Sequence, residues 1–241
     1  MIDIAVTIDQ EWAPVAVLDW LWAELARAGV RATLFATDSP PIDRDRHEVA
    51  IHPNPFRDGA TGMQAEIERL LGIYPRAKGL RMHRLAWESG LEAVLAGLGV
   101  HYVSNQLIPR QTVRPFRLTP QLLHFPIFYM DHHELLNRQQ FAPPFARGGM
   151  AMRDGELYVF DFHPNMLFTN APSEEFYREQ VHPRYRDAAS LEAIRYAGRG
   201  CLDLFHEILD LNATGQARFI TLGEAAAQYV AKEGPNWTRG S

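Results

Sequence analysis

Short runs rich in Val, Ile, Leu and Phe recur along the chain, and stretches with apolar residues at helical spacing separate them from the first residues to the last thirty. This alternation dictates βα units around a parallel sheet, because a parallel strand pair needs a long crossover and a helix is its usual form. The patterning predicts strands over 2–8, 32–37, 48–52, 79–83, 101–105, 122–129, 157–163 and 218–221. Val15, Leu18, Leu21, Trp22 and Leu25 form a helical stripe after Pro14, closed by Gly29. Ile67, Leu70 and Leu71 form a second before Gly72 and Pro75, and Leu91, Val94, Leu95 and Leu98 a third before Gly99. The longest helical stretch is 187–211, where Gly198 and Gly200 are placed to break it in two. Residues 38–46 and 141–149, each with a Pro-Pro pair, read as loops of one domain rather than linkers. A single α/β domain over 1–241 is expected, a distorted (β/α) barrel of about seven parallel strands; such barrels typically take about 250 residues.

With 46% hydrophobic and 22% charged residues the chain can bury a full core, which excludes a disordered chain. Lys plus Arg is 24 against 29 Asp plus Glu, a formal charge of −5 with no basic cluster, so no nucleic-acid partner is expected. The one cysteine, Cys201, closes no internal disulfide and reads as a small buried helix residue. The N-terminus lacks the basic-then-apolar pattern of a leader, and no apolar run approaches the roughly 18 residues that span a bilayer. A cytoplasmic protein without a membrane span is the expectation, and nothing in the sequence specifies its oligomeric state.

In a parallel barrel the loops after the strands converge on one mouth while the interior fills with apolar side chains, so the strand ends carry the chemistry. Here they carry Asp9 and Glu11 after the first strand, His52 and Asn54 after the third, Arg81 and His83 on the fourth, Asp131 and His132 after the sixth, and Asp161 and His163 on the seventh. Residues two apart share a strand face, which pairs Arg81 with His83 and Asp161 with His163. Buried charges without partners are costly, so such a gathering must neutralise itself or hold an ion. Carboxylates with imidazoles are the oxygen and nitrogen ligands of a hydrolytic divalent metal, zinc first, with Mn, Co or Fe as alternatives. A Gly-rich phosphate loop, a Gly-x-Ser-x-Gly elbow and a His-Glu-x-x-His run are all absent.

The stretches Val6-Thr7-Ile8-Asp9-Gln10-Glu11-Trp12, Arg31-Ala32-Thr33-Leu34-Phe35-Ala36-Thr37 and Glu48-Val49-Ala50-Ile51-His52-Pro53-Asn54 resemble, in order, three motifs of the polysaccharide deacetylase family, carbohydrate esterase family four. Gly79-Leu80-Arg81-Met82-His83 stands where the family has its Arg motif. Val159-Phe160-Asp161-Phe162-His163-Pro164-Asn165 resembles the late strand ending in its catalytic His, and Phe219-Ile220-Thr221-Leu222-Gly223-Glu224 its closing strand and helix. The Asp-x-Glu and His-Pro-Asn pattern resembles a divergent branch associated with surface-polysaccharide biosynthesis. The resemblance implies that Asp9 is the general base, His52 a metal ligand, Arg81 the group that orients and charge-balances Asp9, and His163 the general acid. Gln10 stands in the place of the family's second metal-binding Asp, and Phe56 in that of its second His. Replacement ligands are therefore expected from Glu11, His83, Asp131, His132 or His163.

The leading expectation is a metal-dependent hydrolase that removes an acyl group, foremost N-acetyl, from an amino sugar in a glycan or its precursor. Asp9, Glu11, His52 and His83 form its expected metal set, Asp9, His163 and Arg81 its catalytic set, and Trp12, Asn54, Asp131, His132 and Asn165 its substrate contacts. His182 reads as structural or solvated. Two other readings stay open: a catalytically silent carbohydrate-binding or regulatory barrel, motivated by Gln10 and Phe56, and a metal-free glycosidase using Asp9 and Asp161.

Overall fold

The computed structural model describes residues 1–136 and 152–233; the expected loop over 141–149 lies outside them. Among the described residues ten strands form one sheet: β1 (Ile2–Asp9), β2 (Ala32–Ala36), β3 (Glu48–Ile51), β4 (Gly79–Leu80), β5 (Tyr102–Val103), β6 (Phe116–Thr119), β7 (Leu122–His124), β8 (Ile127–Met130), β9 (Leu157–Phe162) and β10 (Ala217–Phe219). Their order is β6-β7-β5-β4-β3-β2-β1-β9-β8, with β10 beside β1. All neighbours are parallel except β6 and β7, an antiparallel hairpin at one edge. Just beyond β5 the chain meets β8: Ile127 N donates to Gln106 O at 2.7 Å and Ile108 N to Ile127 O at 2.9 Å. One bridge thus brings β5, β4, β3, β2, β1, β9 and β8 into a ring, the distorted barrel that the sequence implies.

The helices are α1 (Val15–Arg27), α2 (Met63–Ile73), α3 (Leu91–Gly97), α4 (Asp131–Leu136), α5 (Pro164–Phe168), α6 (Glu174–Phe176), α7 (Ala188–Ala193), α8 (Cys201–Ala213) and α9 (Leu222–Glu233). Leu18, Leu21 and Leu25 of α1, Leu70 of α2 and Phe205 and Ile208 of α8 are fully buried. Burying an aliphatic or aromatic side chain of this size is worth about 1.5–3 kcal/mol. α1 follows Pro14 and gives way to Gly29 in a left-handed turn at φ +66°, as the Pro-to-Gly spacing implies. Among the described residues no helix is long and apolar enough to cross a membrane.

Two expectations need correction, the strand over 122–129 and the shared strand face of Arg81 and His83, and two others hold. The strand over 122–129 is two, β7 and β8, because Pro126 cannot donate to a ladder and the chain turns there from β5 to β9. The helix over 187–211 is α7 and α8, parted around Gly198 and Gly200 where the chain packs against Asn170; a Cβ on Gly200 would collide with that residue's carbonyl. β4 stops at Leu80, so Arg81 and His83 are not alternate residues of one strand; His83 opens a 3-10 turn ending at Leu85. Cys201 is buried at the start of α8, as expected.

Candidate active site

The polar strand ends meet at one mouth around a fully buried cation. Arg81 Nη1 donates to Asp9 Oδ1 at 2.8 Å, to Thr7 Oγ1 at 2.9 Å and to Asp161 Oδ1; Nε donates to Ser104 O and Nη2 to Ser104 Oγ, both at 2.8 Å. The guanidinium lies over the Phe35 ring, 4.2 Å from its centroid. The Arg81 charge is therefore shared between two carboxylates from neighbouring strands, and the Ser104 hydroxyl and carbonyl complete its hydrogen bonding. Burial works against the Asp9 anion, but Arg81, His52 and His163 together hold its carboxyl below the usual range. Asp161 is driven by burial up to about 7, with Asp9 and Asp131 adding to the rise, despite the Arg81 and His163 charges. Its Oδ2 is buried without a hydrogen-bond partner.

Immediately after β1 the chain makes an unusual turn. Glu11 has φ +50°, a left-handed conformation uncommon outside glycine. The turn sends Gln10 and Glu11 in different directions. Gln10 faces the end of β2, where its Oε1 accepts from Thr37 N at 2.8 Å and Asp38 N at 3.3 Å while Nε2 donates to the Asp38 carboxylate. Glu11 enters the mouth, its Oε1 lying 3.0 Å from His83 Nδ1 and 3.5 Å from His52 Nε2. Burial pushes the Glu11 carboxyl up, and contact with His52 and His83 outweighs it, leaving the group strongly acidic. The His52 ring is buried, and neither of its nitrogens has a hydrogen-bond partner; Nε2 is 3.8 Å from Asp9 Oδ2. Burial disfavours its charged form, but Asp9 and Glu11 reverse that and raise its pKa.

Glu11, His52 and His83 each offer one ligand atom, and all three atoms lie within 4.8 Å of one another. Two imidazoles and a carboxylate are a ligand set of hydrolytic zinc, which leaves a position for water. The orphaned His52 nitrogens mark the spot that lacks a hydrogen-bonding partner, and the donor set fits a divalent ion. A second cluster, Asp9, Asp161 and His163, has the same compactness. Its two carboxylates already share the Arg81 cation, which makes it the poorer cation site.

His163 caps the start of α5 and lies opposite Asp131, the first residue of α4. Its Nδ1 is 2.6 Å from Asp131 Oδ1 and its backbone N donates to Asp131 Oδ2 at 2.8 Å; His132 N donates to Asp131 Oδ1 at 2.6 Å. Burial works against the imidazolium, but the Asp131 charge and hydrogen bond win and raise His163 to about 10. His132, packed 5.8 Å from the His163 ring, goes the other way, lowered to about 4 by burial and by the His163 charge.

A cavity of about 750 Å³ opens over these groups, lined by Asp9, Glu11, Trp12, His83, His132 and His163, with Leu107, Met130, Tyr177 and Tyr185 as apolar wall. A larger cavity of about 1420 Å³ lies at the N-terminal ends of β3, β4 and β5, away from both carboxylate–imidazole clusters. Of the expected substrate contacts, Trp12 and His132 line the mouth and three do not. Asp131 is fully buried and holds His163; Asn54 Oδ1 accepts from Phe56 N at 2.9 Å within its own turn; Asn165 is fully buried and donates to Tyr185 O at 2.9 Å. Phe56 is exposed, its ring 5.4 Å from the Arg84 guanidinium. His182, expected to be structural or solvated, lines the mouth together with Tyr177, Tyr185 and Arg186. These come from an irregular run of short turns after α6 that carries no apolar periodicity, so no sequence signal marked it.

A mostly parallel barrel whose strand ends converge on buried carboxylates and imidazoles defines the class: a polysaccharide deacetylase type of fold. The sequence of residues 6–181 matches the WbmS-like polysaccharide deacetylase family, and the chain belongs to it. Its structure is similar to that of a protein from Bordetella bronchiseptica described as a polysaccharide deacetylase involved in O-antigen biosynthesis, with a TM-score of 0.78 and 26% identity over 87% of this chain and 90% of that one. A protein from Mycobacterium smegmatis described as a polysaccharide deacetylase shares the fold at a TM-score of 0.57 and 16% identity, over 96% of this chain and 91% of that one. No curated protein sequence matches the chain.

Proposed function

We propose that this chain hydrolyses the amide of an N-acylated amino sugar, foremost an N-acetyl group, in a surface glycan or its precursor, and that Glu11, His52 and His83 hold a divalent ion for it. The observation that carries the reading is the meeting of those three residues beside Asp9, with His163 across the same cavity. A divalent ion bound there supplies Lewis-acid polarisation of the acyl carbonyl and acidifies water, zinc being the first choice for two imidazoles and a carboxylate. Asp9, ionised and held by Arg81, accepts a proton from the attacking water. Nδ1 of His163 is fixed by Asp131, leaving Nε2 to give its proton to the departing amine as the C–N bond breaks. The products are a carboxylate and a free amine. Trp12 offers an apolar face on which a pyranose ring can rest.

The glycosidase reading is disfavoured by Asp161, which is fully buried, bonded to the same Arg81 nitrogen as Asp9 and absent from the cavity wall. The test is metal content together with acetate release from N-acetylated sugars, for wild type and His52→Ala. About one ion per chain, lost in the variant along with acetate release, is expected. A wild type that takes up no ion from Zn²⁺, Mn²⁺ or Co²⁺ overturns the hydrolase and leaves the silent sugar-binding barrel.

A further inference from the structure

Two arginines stand on the wall of the active-site cavity without a carboxylate partner among the described residues, Arg84 and Arg186. Elsewhere arginines such as Arg110, Arg114 and Arg218 close on Glu134, Glu156 and Asp3. Among the described residues the carboxylates lining the cavity are Asp9 and Glu11, engaged by Arg81 and by His83. Among the described residues no carboxylate on this wall neutralises the two guanidinium groups, the Arg84 one lying 5.4 Å over the Phe56 ring, in a chain whose formal charge is −5.

Their placement is specific. Arg84 follows His83 and Arg186 follows Tyr185, and the Trp12 ring packs edge-on between them, 5.5 Å from His83 and 6.2 Å from Tyr185. The two arginine-bearing segments thus flank the aromatic residue best suited to a sugar ring. Arg84 and Leu85 also hold two consecutive left-handed conformations, φ +58° and +52°. Backbone strain of this kind clusters at ligand clamps.

We propose that the substrate carries an anionic group beside its acylated sugar and that Arg84 and Arg186 take hold of it. The inference rests on the reading of this cavity as the deacetylase site. A guanidinium matches the paired oxygens of carboxylate and phosphate alike. The anion is then either a carboxylate on the sugar, as in a uronic acid, or a phosphate or diphosphate at its anomeric carbon.

The test is calorimetric binding of N-acetylglucosamine, N-acetylglucosaminuronic acid and UDP-N-acetylglucosamine to the metal-loaded protein at about 0.05 M and 0.5 M salt, where screening differs strongly. At least one anionic probe is expected to bind about tenfold or more tighter than the neutral sugar, with the advantage shrinking at high salt. Arg84→Gln/Arg186→Gln removes the advantage, and Arg84→Lys, which keeps the charge, retains part of it. Both side chains are exposed, and an unchanged thermal transition verifies that the variants fold. A uronate advantage assigns the carboxylate, and a UDP-sugar advantage the phosphate. Equal binding of all three probes, no binding of any, or an anionic preference that survives the double substitution overturns the inference. Acetate release is followed in parallel: anion-dependent binding without any release refutes the hydrolase and leaves the anion site standing, whereas release with no anionic preference refutes the anion site alone.

Discussion

Replacing Asp131 by Asn tests the general-acid assignment through stability as well as rate. Asp131 bonds both Nδ1 and the backbone N of His163, and its charge and hydrogen bond are the largest influences carrying the imidazole from the ordinary 6.5 to about 10 against the pull of burial. Such a rise corresponds to about 5 kcal/mol in favour of the folded imidazolium, an order-of-magnitude figure for a buried pair. Because the folded pKa lies above the unfolded one, this contribution is complete below about pH 6.5 and is lost as pH rises through about 10. Between those limits the folded protein holds one proton more than the unfolded chain. Linkage then sets a slope of about −1.4 kcal/mol per pH unit. From pH 7.5 to 9.5 the metal-stripped wild type is expected to lose about 3 kcal/mol from this group, in a window above the Asp161 titration near 7. In Asp131→Asn the largest raising charge and its hydrogen bond are gone, His163 falls back toward 6.5 with Asp161 and Asp9 still opposing burial, and most of the slope from this group is lost. Urea unfolding at several pH values reads the difference. The same change leaves about 3% of His163 protonated at pH 8, so acetate release there falls about 30-fold and recovers toward pH 6. Parallel stability curves for the two proteins from pH 7.5 to 9.5, or an unchanged rate at pH 8, would refute the imidazolium.

The buried arginine offers a second test. Arg81→Met leaves Asp9 and Asp161 buried without their shared cation, at a cost of about 3–5 kcal/mol. Both carboxyl pKa values then rise, so the loss is small near pH 4 and grows toward pH 8; an equal loss at both, measured by urea unfolding, would contradict the shared-charge account. Gln10→Asp, which writes the family's usual residue back, is expected to add no metal ligand. It places a second carboxylate against Asp38 and loses the amide donor, costing about 1–3 kcal/mol in thermal unfolding with unchanged metal stoichiometry. Phe56→His is expected to change stability by less than about 0.5 kcal/mol, because residue 56 is exposed, and to leave metal affinity as it was by titration calorimetry. Tighter metal binding in either variant would show that the family's usual ligand positions still face the site.

The strands that build the mouth were readable because strands of a parallel sheet are covered on both faces and so appear as nearly unbroken apolar runs; all of Ile4 to Asp9 in β1 is buried. Asp9, His52, Arg81, Asp161 and His163 were readable for the related reason that each marks where such a run stops. Which of two adjacent residues turns inward was not. Glu11 rather than Gln10 enters the site because of one left-handed φ, and a shift of one residue in a turn leaves no trace in hydrophobic periodicity. Asp131 was read as a substrate contact because its partner lies 32 residues away. Only the β8–β9 register, which sets Met130 against Asp161, carries it to His163. The family pattern placed a second imidazole one strand end from where the structure supplies one: residue 56 after β3 faces solvent, whereas His83 after β4 meets Glu11 and His52. A barrel permits this because the C-terminal ends of neighbouring strands open on the same cavity. An imidazole can therefore arrive from the next strand without moving the carboxylate it meets, and a sequence motif can be broken at two positions while the charge arrangement at the mouth is kept.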